Sequence, residues 1–336
     1  MTYSSRAQRY AKQVIAGKIP AARWTKLACQ RQLDDLKRWK GKAAPYRFDR
    51  AAADGICGFI ECLPHIKGEW AKRGELIELE DWQCFLLTTI FGWKRADGLR
   101  RYRTAYIEVA RKNAKSTLAA AIALYMLCAD GEVGAEVYSA ATTRDQAKIV
   151  FQTARLMAER EPTLRQAYGL EVNAHNLHVL ATGSKFEALS AEGNSLDGLN
   201  IHGAVIDELH AHRTRKVYDV LETATGSRSQ PLLLSITTSG SDQAGVCYEQ
   251  RTYVTKLVER VITDETYFGI IYTIDDGDDW TNPEVWRKAN PNLGVSVKAD
   301  DLERLCVKAQ ATPAAVNSVL TKRFDVWCNA DIGLFD

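Results

Sequence analysis

The feature that most constrains this chain is an alternation of short apolar segments with longer amphipathic ones, beginning near residue 104. Segments 104–109 (TAYIEV), 136–141 (EVYSAA), 202–208 (HGAVIDE) and 231–238 (PLLLSITT) have the length and composition of strands. Between them, 116–129 (STLAAAIALYMLCA), 144–160 (RDQAKIVFQTARLMAER) and 213–224 (RTRKVYDVLETA) read as helices. Strands alternating with helices of ten or more residues imply a mostly parallel sheet covered on both faces. The unbroken apolar runs AVI and LLLSI fit central strands buried on both sides. Right-handed crossovers then bring every strand's carboxyl end to one edge, where ligands bind in such sheets. Residues 110–117, 207–208 and 237–240 all follow strands, so the topology gathers them into one candidate site.

The rest of the chain reads as appendages to that core. The expected division is a basic helical segment over 1–45, an α/β core over 46–275 and a helical end over 276–336. The first fifty residues hold thirteen Lys or Arg against three Asp or Glu, a local balance of +10; with a total of +2, the remainder carries −8. Such a segment either contacts nucleic acid or presents a solvated helical face, and the charge alone favours the second. No run of eighteen apolar residues suggests a membrane span, and the N-terminus lacks the apolar stretch of a secretory signal. The eight cysteines are scattered without a CxxC pair and read as reduced thiols in a cytoplasmic protein. His175, His178, His202, His210 and His212 have no cysteine partners at zinc spacing.

Residues 110–117 (ARKNAKST) match the phosphate-loop pattern G-x-x-x-x-G-K-[ST], with alanine at both glycine positions. Such a loop must aim backbone N–H groups at phosphate from the positive end of a helix. Lys115 is placed to reach the β and γ phosphates, and Ser116 to ligate Mg²⁺. Ala110, Arg111, Lys112, Asn113, Ala114 and Thr117 complete the loop. Alanine at 114 is harmless at negative φ but costs on the order of 1 kcal/mol at positive φ.

The strand AVIDE ends in Asp207 and Glu208. A nucleotide hydrolase needs one carboxylate in the Mg²⁺ shell, suiting Asp207, and a second to polarise the attacking water, suiting Glu208. Thr237, Thr238, Ser239 and Gly240 follow the next buried strand and can sense the γ-phosphate. Gln83 lies upstream, where its amide can read adenine. Arg111 is placed to add positive charge from within the loop; Arg144, Arg213 and Arg228 lie near strand ends and can act in cis or in trans. The site expected is for ATP with Mg²⁺, on an α/β P-loop NTPase fold.

Segments 105–127 (AYIEVARKNAKSTLAAAIALYML), 136–151 (EVYSAATTRDQAKIVF), 202–212 (HGAVIDELHAH) and 232–240 (LLLSITTSG) resemble the large terminase subunit of tailed double-stranded DNA bacteriophages, in its HK97-like branch. The likeness extends upstream through 48–71 and 79–95 and covers roughly residues 45–335. The family pattern R-K-N-G-K-S is broken here only by Ala114. The resemblance implies a P-loop ATPase of the ASCE type that pumps double-stranded DNA into a procapsid. It would work as a ring of about five subunits docked on the portal protein, with the small terminase subunit as a further partner. The implied place is the host cytoplasm, with no membrane, and an isolated domain can be monomeric. By position, Lys115, Ser116 and Arg111 take the phosphate-loop roles, Asp207 and Glu208 the acidic-strand roles, Thr237–Gly240 the coupling motif and Gln83 the adenine contact. The family's RNase H-like nuclease is expected to be absent, leaving an ATPase portion or a truncated subunit. Two other readings fit the motifs: a helicase-like remodelling ATPase, and a non-hydrolysing nucleotide-sensing scaffold on DNA.

Overall fold

The computed structural model describes residues 1–41, 43–190 and 198–328, without the side chains of Arg144 and Ser190. Two amphipathic helices open the chain, α1 (Tyr3–Ile15) and α2 (Arg23–Arg38). Thr2 caps α1 by accepting the Ser5 N–H at 3.3 Å, and the buried face carries Ala7, Tyr10, Ala11 and Val14. A short strand β1 (Tyr46–Phe48), helices α3 (Arg50–Glu61), α4 (Gly68–Lys72) and α5 (Asp81–Gly92), and strand β2 (Trp93–Arg95) follow. Strand β2 pairs antiparallel with β1. Helix α5 is apolar nearly all round, and Trp82 to Gly92 are buried between α1 and α3.

Part of the positive charge of the first fifty residues is matched within the molecule. Arg6 and Arg9 both pair with Asp81 at 2.8 Å, Arg23 with Glu259 and Arg38 with Glu265. Arg31 donates to the carbonyls of Tyr267 and Asp264. Such surface pairs add little stability each. They do orient these arginines towards the protein rather than outwards.

The predicted alternation is present in order: β3 (Thr104–Val109), α6 (Lys115–Cys128), β4 (Glu136–Ala141), α7 (Arg144–Arg160), α8 (Pro162–Tyr168), then β5 (Leu170–Val172), β6 (Asn176–Val179) and β7 (Ser184–Ser190). It continues through β8 (Ile201–Asp207), α9 (Lys216–Thr223), β9 (Leu232–Thr237), α10 (Val246–Val258) and β10 (Tyr267–Tyr272). The eight strands lie in the order β10-β3-β9-β8-β4-β7-β6-β5. All pairs from β10 to β7 are parallel, and β6 and β5 add an antiparallel edge. The register sets Val109 beside Tyr272, Glu108 beside Thr237 and Asp207 beside Ile236, so the carboxyl ends of β3, β9 and β8 are immediate neighbours. Helix α6 lies close on β8 because Gly203 has no side chain: a Cβ there would stand 2.9 Å from Met126 Sδ.

Helices α11 (Pro283–Ala289), α12 (Ala299–Ala311) and α13 (Val316–Phe324) form a second, smaller core around Trp286, Val297, Leu302, Val319 and Phe324. This unit sits at the carboxyl edge of the sheet, against the loops that carry the candidate site.

Candidate nucleotide site

The loop after β3 turns into α6 through two left-handed residues, Lys112 (φ +73°) and Ala114 (φ +59°). Ala114 stands where a glycine pattern residue is expected and adopts glycine's conformation, which costs on the order of 1 kcal/mol. Its carbonyl still accepts the first helical bond, from the Leu118 N–H at 3.0 Å. Asn113 is fully buried and braces the turn: Nδ2 donates to Ala110 O and to Asn290 Oδ1, each at 3.0 Å, and Oδ1 accepts from the Asn292 N–H at 3.1 Å. From the same outer segment, Ser296 Oγ donates to Lys112 O at 2.6 Å, and Lys322 O accepts the Arg111 N–H at 2.9 Å. The strained loop is thus held in place by residues some 180 positions away.

Lys115 begins α6 and is 6% exposed. Its ammonium donates to Val109 O at 3.1 Å and Ala110 O at 3.3 Å. Burial lowers its pKa, opposed by the carboxylates of Glu208, Asp325 and Asp207 that face it. Ser116 Oγ donates to Asp207 Oδ2 at 3.1 Å, so a hydroxyl from the first turn of α6 and a carboxylate from the end of β8 meet at one point. That is the hard oxygen pair that Mg²⁺ selects, and the two residues fit the ion. Burial, reinforced by Glu208, pushes Asp207 up to about 6. Thr117 lies half-buried in the first turn of α6.

Glu208 is itself left-handed (φ +53°). Its Oε2 meets His210 Nδ1 at 3.1 Å and accepts from Thr238 Oγ1 at 3.4 Å. Burial raises its pKa, but the His210 hydrogen bond and the charge of Lys115 outweigh this and hold it down to about 2. His210 also contacts Thr237 Oγ1 through its N–H and Nδ1, each at 3.1 Å. Gly240 passes so close that a Cβ would stand 3.2 Å from His210 Cβ. His210 therefore ties the acidic strand end to Thr237, Thr238 and Gly240.

The other candidates are placed unevenly. Arg111 is exposed and makes no side-chain hydrogen bond or ion pair with the described residues, and its charge acts on Lys115 and Glu208. Arg213 is exposed on the loop after Glu208 and likewise has no such partner among the described residues. Arg144 opens α7, and its side chain lies outside the described ones. Arg228 is at the opposite edge of the sheet, donating to Asn200 O, Gly134 O and Glu132. Gln83 is buried, and its Oε1 accepts the Glu80 N–H at 2.9 Å in a capping box that starts α5. Asn113's partners and Asp325 had no sequence signal, since each acts through contacts between segments remote in the chain.

The sequence model of the terminase large subunit ATPase domain matches residues 81–256. The chain belongs to the terminase large subunits. The corresponding endonuclease-domain model matches residues 261–336, which overturns the expectation that this domain is absent. Within that stretch the structure has β10, a strand of the main sheet, and then the helices α11–α13. Among curated proteins, this terminase chain is 41% identical over 140 residues to protein YmfN of Escherichia coli (strain K12), covering 42% of this chain and 31% of that protein. It is 30% identical over 217 residues to the terminase large subunit of Enterobacteria phage HK97, covering 64% of this chain and 42% of that one. The crystal structure of the HK97 large terminase superposes with a TM-score of 0.70 at 26% identity, over 82% of this chain and 55% of that one. The match spans less than half the length of both curated relatives.

Proposed function

We propose that this terminase chain hydrolyses ATP at the carboxyl edge of its sheet, and that turnover moves double-stranded DNA into a procapsid. The observation that carries the reading is the convergence of Lys115, Ser116, Asp207 and Glu208 from two strand ends, with Ser116 and Asp207 3.1 Å apart. The phosphate loop and Lys115 hold the phosphates, and Ser116 with Asp207 holds Mg²⁺, which supplies charge neutralisation on the phosphate oxygens when bound. Glu208 stays ionised at neutral pH and orients the attacking water. Arg111 acts in cis, and Arg213, exposed on the loop after Glu208, acts on a neighbouring subunit's nucleotide. The packaging role places the chain in the host cytoplasm, docked on the portal in a homo-oligomeric ring, with the small terminase subunit as a partner.

The test is phosphate release from ATP and Mg²⁺, with and without double-stranded DNA. Turnover that DNA stimulates, and that Lys115→Ala abolishes without unfolding, is the expected result. Nucleotide binding without turnover, even with DNA and partners present, would instead identify a non-hydrolysing scaffold.

A further inference from the structure

The α11–α13 unit touches both loops that face the nucleotide. It meets the phosphate loop through Asn290, Asn292, Ser296 and Lys322, and the coupling loop through the end of α13. At that end stands Asp325, fully buried and left-handed (φ +60°). Its Oδ1 accepts the Ser239 N–H at 2.7 Å, while Oδ2 is buried with no hydrogen-bond partner among the described residues. Two further contacts close the junction: Ser239 Oγ lies 3.0 Å from Thr321 O, and Thr273 Oγ1 donates to Asp325 O at 2.9 Å.

A carboxyl is an expensive way to cap one N–H in a dry site, because its second oxygen loses water and gains nothing. The charged groups that face it are Glu108, Lys115 and Arg251. Glu108 is already engaged by Arg251 and Trp327, each at 3.1 Å. Burial, reinforced by Glu108, holds the Asp325 carboxyl towards its neutral form. Its position explains the cost better than its stability does. Ser239 follows Thr238, which donates to Glu208, so four residues (Glu208, Thr238, Ser239 and Asp325) lead from the catalytic carboxylate into the segment matched by the endonuclease-domain model.

We propose that Asp325 is a positioning residue that latches the coupling loop to α13, so that the setting of Thr238 on Glu208 and the placement of the α11–α13 unit change together. This rests on the ATP-hydrolysis reading above. The test compares D325G and D325N in steady-state ATP hydrolysis with double-stranded DNA. Both residues tolerate the left-handed backbone, but only asparagine keeps an acceptor for Ser239. D325G is expected to lower kcat about tenfold or more with KM for ATP within about threefold, and D325N to stay within about threefold in both. An unchanged kcat in D325G, or an equal loss in D325N, overturns the proposal. So does a D325G chain that is unfolded at the assay temperature while D325N is active, since that marks a purely structural bond. A wild-type chain without hydrolysis defeats both readings and is recognised before any variant is made.

Discussion

Two clusters of charged side chains are buried at opposite edges of the same sheet, and they are built differently. At the amino edge, Arg100 donates through Nη1 to both oxygens of Asp130 at 2.8 Å, through Nε to Tyr102 O and through Nη2 to Gln230 O. His202 meets the same aspartate at 2.8 Å, and Arg228 ties Glu132 to the chain around it. At the carboxyl edge, Asp207, Glu208 and Asp325 face the ammonium of Lys115, which donates to the carbonyls of Val109 and Ala110. Four residues there, Lys112, Ala114, Glu208 and Asp325, are left-handed without being glycine. The amino edge is neutralised in place and serves folding. The carboxyl edge gathers buried carboxylates and a buried ammonium on strained backbone, the state expected of a site completed by a ligand.

The largest contrast is in ligand binding. Lys115→Ala should weaken ATP binding by about a hundredfold or more, followed by fluorescent-nucleotide titration, whereas Arg228→Ala should leave it unchanged. Equal affinities for the two variants would erase the difference between the edges. Next in size, Arg100→Leu leaves Asp130 buried without its guanidinium and should cost roughly 3 kcal/mol in a denaturant titration. A loss under about 1 kcal/mol would show that the amino edge is not the structural one.

The carboxyl edge should also differ in its response to pH. Asp207 titrates near 6 in the folded chain against an ordinary 3.8, so folding favours its protonated form. Stability is then lost as pH rises from about 4 to about 6. In protein free of Mg²⁺ and nucleotide, Asp207→Asn should gain about 1–3 kcal/mol at pH 7 and almost nothing at pH 4. A gain that does not depend on pH would remove the electrostatic explanation. The smallest effect is at Ala114, whose replacement by glycine should stabilise the nucleotide-free chain by about 1 kcal/mol, read as a raised melting temperature. Destabilisation instead would mean that the loop does not need a left-handed residue there.

Much of this was legible in the sequence because it follows local rules. Strand and helix periods located β3, α6, β4, α7, β8 and β9, and the placement of Asp207 and Glu208 after an apolar run followed from the same alternation. The positive φ at 114 was foreseeable as the cost of alanine in a glycine pattern. What stayed hidden depends on tertiary contact. Asn290 and Asn292 brace Asn113 from the far end of the chain, and Asp325 reaches Ser239 across 86 positions. No periodicity records such pairs. Gln83 read as an adenine contact from its position, whereas its oxygen serves a helix cap. Arg228 read as a site arginine from being near a strand, but it precedes β9 instead of following it. Charge alone favours a solvated helical face for the first fifty residues, whereas Arg6, Arg9, Arg23 and Arg38 pair with acids on the body they pack against.

The central claim, that the carboxyl edge is the catalytic one, is tested most directly by phosphate release from Glu208→Gln and Arg228→Ala measured side by side with double-stranded DNA. The account predicts that Glu208→Gln folds and binds ATP but loses turnover by about a thousandfold, while Arg228→Ala turns over normally per folded molecule. Normal turnover in Glu208→Gln would contradict it.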